Sequence, residues 1–258
     1  MLQAYHLVLM LFIALLLPSP GFPLPAGDSS DDAIPLTPIC DADPNRKVSP
    51  TNCVKALSLI KYNSDATLDT WESHVERVYG DCVVAFDRPL VPHDFTGKTS
   101  PTPITKTKLE RQIHLILSTC KGVAGTVPES TLQGVLLIVR PRGDTPIYED
   151  DFPPNEIVCG QTVQNDDCMR AYDNIRKEPT GRPSLNGADP TNSVHATSGT
   201  CKAELFTSDG TIISMLKDDL KPKFQQMNEH CHGKTSTMTI DTGADGMNGR
   251  LFLRTVPA

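Results

Sequence analysis

Cysteine can act as a nucleophile, a metal ligand or half of a disulfide, and this 258-residue sequence has eight of them. They stand at Cys40, Cys53, Cys82, Cys120, Cys159, Cys168, Cys201 and Cys231. Zinc sites are commonly built on paired Cys-x-x-Cys knuckles, and the sequence contains none. An even number of cysteines, all beyond an N-terminal apolar run, reads instead as four disulfides formed in an oxidising compartment. That assignment leaves no thiolate for nucleophilic chemistry. His230-Cys231-His232 hints at copper or zinc. Cys120, the counterpart of Cys231, is flanked by Thr119 and Lys121, so the two histidines read as surface residues at a helix end.

Carboxylate chemistry is sought next. Asp241-Thr242-Gly243 matches the loop that supplies one of the two proton-sharing carboxylates in retroviral-type aspartic proteases. Only 17 residues follow Asp241, and Val127-Pro128-Glu129-Ser130, the matched stretch upstream, holds no second copy. Asp-Thr-Gly-Ala-Asp-Gly between two strands is ordinary loop chemistry. No Gly-x-Ser-x-Gly elbow supports a serine nucleophile, and the other carboxylates are scattered. Arg142-Gly143-Asp144 matches a tripeptide by which some ligands engage integrins, but a solvated turn explains three linker residues equally well. Trp71, Tyr79 and Tyr172 are the candidates for stacking on a sugar ring. No catalytic residue, metal or cofactor is expected.

The charge balance narrows the partners. The formal net charge is −7, with 24 Lys+Arg against 31 Asp+Glu. The surplus lies in joining pieces, at Asp28, Asp31 and Asp32 and at Asp144, Glu149, Asp150 and Asp151. No concentrated basic face exists, so nucleic acid is set aside. Leu7–Leu17 is an apolar run too short to span a bilayer and followed by Pro18-Ser19-Pro20, the pattern of a secretory signal cleaved between residues 21 and 26. No later segment is apolar enough to cross a membrane. The expected product is secreted, with an extracellular protein or glycan as its partner.

The elements that must position these residues come twice. Cys53-x-x-Ala56-x-x-x-Ile60 returns as Cys168-x-x-Ala171-x-x-x-Ile175, and Gly80-Asp81-Cys82 as Gly199-Thr200-Cys201. Leu109, Ile113, Ile116 and Cys120 share their spacing with Leu220, Phe224, Met227 and Cys231, each set followed by glycine at Gly122 or Gly233. Each copy closes on an apolar run and an arginine, Arg140 or Arg254. Offsets of three, four and seven place residues on one helical face. Cys82-VVAF, Cys201-KAELF and the closing runs read as strands.

Each copy is therefore expected as β-α-β-α-β-β. In the first, Leu68, Trp71, Val75 and Val78 have near-helical spacing where the second has a Pro/Gly/Asn-rich loop. Asp218 and Pro222 suggest that the last helix begins late or is kinked. The fold expected is α+β: two tandem homologous units, each two helices packed on a small, mostly antiparallel, disulfide-stapled sheet. The divisions are a signal at 1–26, acidic linkers at 27–39 and 142–155, and repeats at 40–141 and 156–258. Strand-to-helix geometry suggests Cys40–Cys53, Cys82–Cys120, Cys159–Cys168 and Cys201–Cys231 as the bridges.

The Asp/Asn-Cys-x-x-Ala-x-x-x-Ile, Gly-x-Cys and helix-Cys-x-Gly series resembles that of small cysteine-rich secreted proteins of fungi, the necrosis-inducing effector and killer-toxin-like group. The resemblance spans Cys40–Arg140 and Cys159–Arg254. It implies an α/β-sandwich that acts on other organisms by binding or membrane perturbation, with no catalytic residues. The function expected is that of a secreted, non-enzymatic, effector-like interaction protein. The alternatives are a carbohydrate- or cell-wall-binding module, and a hydrolase with a carboxylate pair between the repeats.

Overall fold

The computed structural model describes residues 37–89, 103–128, 134–143 and 151–258. The signal segment, most of the first acidic linker and half of the second lie outside the described residues. In the first repeat, β1 (Ile39–Cys40) leads to α1 (Pro50–Ser58). The Ser49 side chain caps α1 by accepting from Asn52 N, and Pro50 occupies the first turn, where no N–H is needed. A hairpin follows, β2 (His74–Tyr79) and β3 (Cys82–Asp87), then α2 (Lys106–Thr119), β4 (Gly125–Pro128) and β5 (Leu136–Pro141). The Thr105 side chain, which accepts from Lys108 N, fixes the start of α2.

The second repeat repeats the plan. It comprises β6 (Ile157–Thr162), α3 (Asn165–Asn174), a small ribbon of β7 (Arg176–Lys177) and β8 (Pro183–Ser184), β9 (Ser193–Ser198), β10 (Cys201–Thr207), α4 (Lys217–Cys231), β11 (Lys234–Ile240) and β12 (Leu251–Pro257). The two five-stranded sheets have orders β1-β4-β5-β3-β2 and β6-β11-β12-β10-β9, antiparallel throughout. The same order in both halves makes the duplication a structural fact, and the α+β class stands. Each repeat has its own core. Leu109, Ile113, Ile116, Val84 and Phe86 anchor the first, and Leu220, Phe224, Met227, Ala203 and Leu205 the second.

Three expectations need correction. The segment carrying Val75 and Val78 is strand β2, not helix, so the plan common to both repeats is β-α-β-β-α-β-β, to which the second adds the β7–β8 ribbon. Its alternation is hidden because both faces carry apolar residues: Val75 enters the core, while Val78 pairs with Val83 on the opposite face. The copies therefore agree here, and the Pro/Gly/Asn-rich stretch is an insertion before β9. Second, α4 does not begin late: it starts at Lys217, ahead of Asp218, and keeps Pro222 within its span. Third, Arg140 and Arg254 are not equivalent. Pro141 faces Cys82 as Pro257 faces Cys201, which sets Arg140 against Val256 and Ile138 against Arg254.

The disulfides stay within repeats but pair differently from expectation. They are Cys40–Cys120, Cys53–Cys82, Cys159–Cys231 and Cys168–Cys201. The reason is the layout of helices over the sheet. β1 and β2 are opposite edges; α1 packs on β2 and β3, and α2 on β1, β4 and β5. Each bridge ties a helix to the half-sheet beneath it, so Cys53 on α1 cannot reach back to Cys40 on the far edge.

A repeated device explains the residues beside those cysteines. Asn52 Nδ2 donates to Asp81 Oδ1 at 2.9 Å in the turn between β2 and β3. In the second repeat the polarity is reversed, and Asp167 Oδ2 accepts from Thr200 N and Oγ1 at 2.8 and 2.9 Å. Gly80 and Gly199 have φ of 58° and 53°, and a Cβ on either would stand within 2.4 Å of the Asn52 or Asp167 side chain. Only glycine accepts both the left-handed backbone and the contact.

Candidate functional site

Helices cover one face of the second sheet, and alternation turns the intervening residues the other way. Along β10, Ala203 and Leu205 enter the core while Lys202, Glu204 and Phe206 face away; on β12, Phe252 and Arg254 join them. Phe206 and Phe252 stack with ring centres 5.0 Å apart, and Phe152 meets Phe252 edge-on. Arg254 donates to Glu204 Oε2 from Nε and Nη2 at 2.8 and 2.5 Å while its guanidinium lies over Phe206. Lys202 Nζ reaches the other oxygen at 2.6 Å. Burial pushes the Glu204 carboxyl up, but the bonds from Lys202 and Arg254 outweigh it and hold it below the usual range.

A hollow of about 370 Å3 opens here, lined by Asn192, Ser193, Val194, His195, Glu204, Phe206, Thr207 and Arg254. It combines hydrogen-bonding side chains of both signs with one aromatic wall, the make-up of a site for a small polar ligand. Sequence reasoning missed it. Its residues come from three strands, and the only signal was the polar and aromatic set at alternate positions of β10 and β12.

The second polar assembly lies between the repeats. The loop from β11 to β12 carries Asn248 into the first repeat. Asn248 N donates to Glu72 Oε1 at 2.7 Å and Nδ2 to Glu72 Oε2 at 3.0 Å, while Nδ2 also reaches Lys61 O at 2.9 Å. Its Oδ1 accepts from Lys61 N at 2.8 Å and from Arg77 Nη2 at 3.0 Å. Asp209, in the turn after β10, accepts on its carbonyl from Ser73 N at 2.7 Å. Its Oδ1 takes Thr211 N and Oγ1, while Oδ2 has no hydrogen-bond partner among the described residues. Glu72 and Asp209 are fully or nearly fully buried, at 0% and 1% exposure. Burial pushes Glu72 up to about 7, against the bonds from Asn248 and with help from Asp209 and Asp69; burial raises Asp209 as well.

The residues singled out from sequence are dispersed. Tyr172 is wholly buried, donating its hydroxyl to Lys217 O at 2.6 Å and stacking on Phe224, so it offers no face to a sugar. Tyr79 is 42% exposed on the β2 edge with Lys55 over its ring. Trp71 is half-buried beside the junction; neither lines the hollow. Asp241 is ion-paired with Arg250 at 2.9 Å, and the Asp-Thr-Gly loop serves to deliver Asn248. His230 and His232 are exposed at the end of α4, and no cluster of three or more metal-binding side chains occurs among the described residues. Arg142 pairs with Asp151, and Asp144 lies outside the described residues. A carboxylate pair, Glu72 and Asp209, does lie between the repeats, with both members buried.

No family model, of fungal effectors or otherwise, matches the chain, and no curated protein matches its sequence. Among solved structures, it is similar to the tandem DUF26 ectodomains of the Arabidopsis thaliana cysteine-rich receptor-like proteins PDLP5 and PDLP8. Identities are 12% and 11%, with 87% of this chain and 99% and 98% of those chains covered; the TM-score is 0.27 for both. At such a score the likeness supports neither a fold nor an activity.

Proposed function

We propose that the chain is an extracellular, non-enzymatic recognition protein that binds through the open face of its second sheet. The observation carrying this reading is the hollow between His195, Glu204 and Arg254, set on a sheet locked by two disulfides. Rigid strands hold binding groups at fixed spacing and lower the ordering cost of association. Four disulfides favour an oxidising compartment, and no described helix is long and apolar enough to cross a membrane. A fungal effector-like role, implied by the cysteine framework, belongs to the same proposal.

A glycan is the second reading, favoured by the lining itself. Planar polar groups such as Glu204, Arg254 and Asn192 can each hold neighbouring hydroxyls, and Phe206 supplies an apolar wall. The test is binding of the whole chain to a glycan array and to a panel of extracellular proteins, alongside Arg254→Met and Glu204→Gln. A ligand whose affinity falls at least tenfold in both variants supports the site. Binding unchanged in both variants removes the hollow. Hydrolysis of any bound ligand, abolished by one of these substitutions, overturns the non-enzymatic reading.

A further inference from the structure

The junction between the repeats holds an arrangement that the recognition reading does not use. Two carboxyl side chains, one from each repeat, meet over a glycine. A Cβ on Gly246 would stand 2.1 Å from Asp209 Oδ2 and 2.9 Å from Glu72 Cγ, and one on Gly249 would stand 2.1 Å from Asp209 Cγ. Glycines at both positions let the β11–β12 loop close over the two acids without a side chain intervening. Among the described residues, Asp209 Oδ2 has no donor, although Asp209 is buried. Two ionised carboxylates in such a place repel each other and lack solvation, so one proton retained between them removes most of the cost.

The charged groups around the pair are of both signs: Arg88 interacts favourably with Glu72 and Asp69, while Asp69 repels Glu72. From the first repeat, Asp69 adds a further negative charge, and Arg88 donates to the carbonyls of Glu72 and Asp69 at 2.5 and 2.7 Å rather than to a carboxylate. Arg77 on β2 directs its Nη2 to the carbonyl and side-chain oxygens of Asn248. His74, whose backbone N donates to Asp209 O, has its ring on Asp87 at 2.5 Å. From the second repeat, Thr211 gives Asp209 neutral hydrogen bonds, and Arg250 of the covering loop pairs with Asp241 and donates to the Phe152 carbonyl.

We propose that the Glu72–Asp209–Asn248 junction is a proton-dependent latch, which holds the two repeats together while the acid pair keeps a proton and opens when both carboxyls ionise. The direction follows from linkage. Glu72 lies above its ordinary value of 4.5, at about 7, so the closed form binds a proton that the open form releases. Closure is complete below about pH 4.5 and is lost progressively as pH rises through 7. For one proton, opening grows by at most roughly tenfold per pH unit in that window.

Hydrogen exchange of the full chain reads this directly, because the Asn248 amide is bonded to Glu72 and the Ser73 amide to Asp209. Protection factors, corrected for the intrinsic pH dependence of exchange, are measured between pH 5 and 8 for these amides and for core amides of Val84 and Ala203. The expected result is a fall of roughly tenfold per pH unit at Asn248 and Ser73 between pH 5 and 7, with Val84 and Ala203 steady. In Glu72→Gln, which carries no titrating proton, junction protection is expected to be flat. Flat wild-type protection overturns the latch, with no variant needed, and so does an equal fall at the core amides. An unchanged fall in both Glu72→Gln and Asp209→Asn overturns it too, and transfers the titration to His74, the neighbouring group able to change charge in this range.

Discussion

At the scale of residues, Asn248 is the side chain that ties the loop between β11 and β12 to the first repeat. Its amide group gives and takes hydrogen bonds with Glu72, Lys61 and Arg77, and it is 2% exposed. Removing it leaves a buried carboxyl, a backbone N–H and a guanidinium short of partners at once, and unsatisfied buried groups cost more than a lost hydrogen bond. Asn248→Ala is expected to destabilise the chain by about 2–4 kcal/mol. Urea unfolding should show a lower midpoint with an unchanged slope. A loss below about 0.5 kcal/mol would mean that water replaces the side chain without cost, and that the junction adds little stability. Glu178 shows the opposite electrostatics. Thr180 and Arg182 supply hydrogen bonds that hold it down at about 2, which orders the first turn of the inserted loop around a permanent charge.

At the scale of elements, the disulfides divide into two kinds. Cys53, Cys82, Cys168 and Cys201 are fully buried, whereas Cys40 and Cys159 lie exposed on edge strands. Thiol exchange needs access to a sulfur. Mild reductant is therefore expected to open Cys40–Cys120 and Cys159–Cys231 first, which alkylation and peptide mapping would reveal as four labelled and four protected cysteines. Labelling of Cys53 or Cys168 in that first wave would contradict the burial argument. The elements were largely legible in the sequence because the helical stripes and the Cys-x-x-Ala pattern are local. Their lateral order was not. Which half of the sheet each helix covers depends on packing between distant segments, so the expected bridges joined sequence neighbours and were wrong. β2 was missed because Val78 pairs with Val83 on the open face while Arg77 sits on the helix side, which blurs the two-residue period. Asn248 was hidden for a related reason: nothing in Asp-Gly-Met-Asn-Gly announces that its partner is Glu72, 176 residues away.

At the scale of the whole molecule, the two hydrophobic cores stay separate, and the groups that join the repeats at Glu72, Arg77, Asp209 and Asn248 are polar. Each half thus has its own apolar burial and its own pair of disulfides, the ordinary requirements for independent folding at roughly 100 residues. The halves, residues 37–143 and 151–258, produced separately under oxidising conditions, are expected to form their own bridges and to unfold cooperatively. They should nevertheless differ from the intact chain in one respect. In the isolated first half, Glu72 faces water instead of Asp209 and the glycine loop, so its carboxyl returns to the ordinary range and no proton is stored. Urea midpoints of the intact chain should fall between pH 5 and 7, by at most about 1.4 kcal/mol of stability per pH unit, while those of the first half should lack that decline. A decline of the same size in the isolated half would mean that the titration does not need Asp209 or the covering loop, and would overturn the latch. A half that forms its bridges yet shows no cooperative transition would mean that polar contacts across the junction, and not burial within each repeat, decide whether the duplicated unit folds.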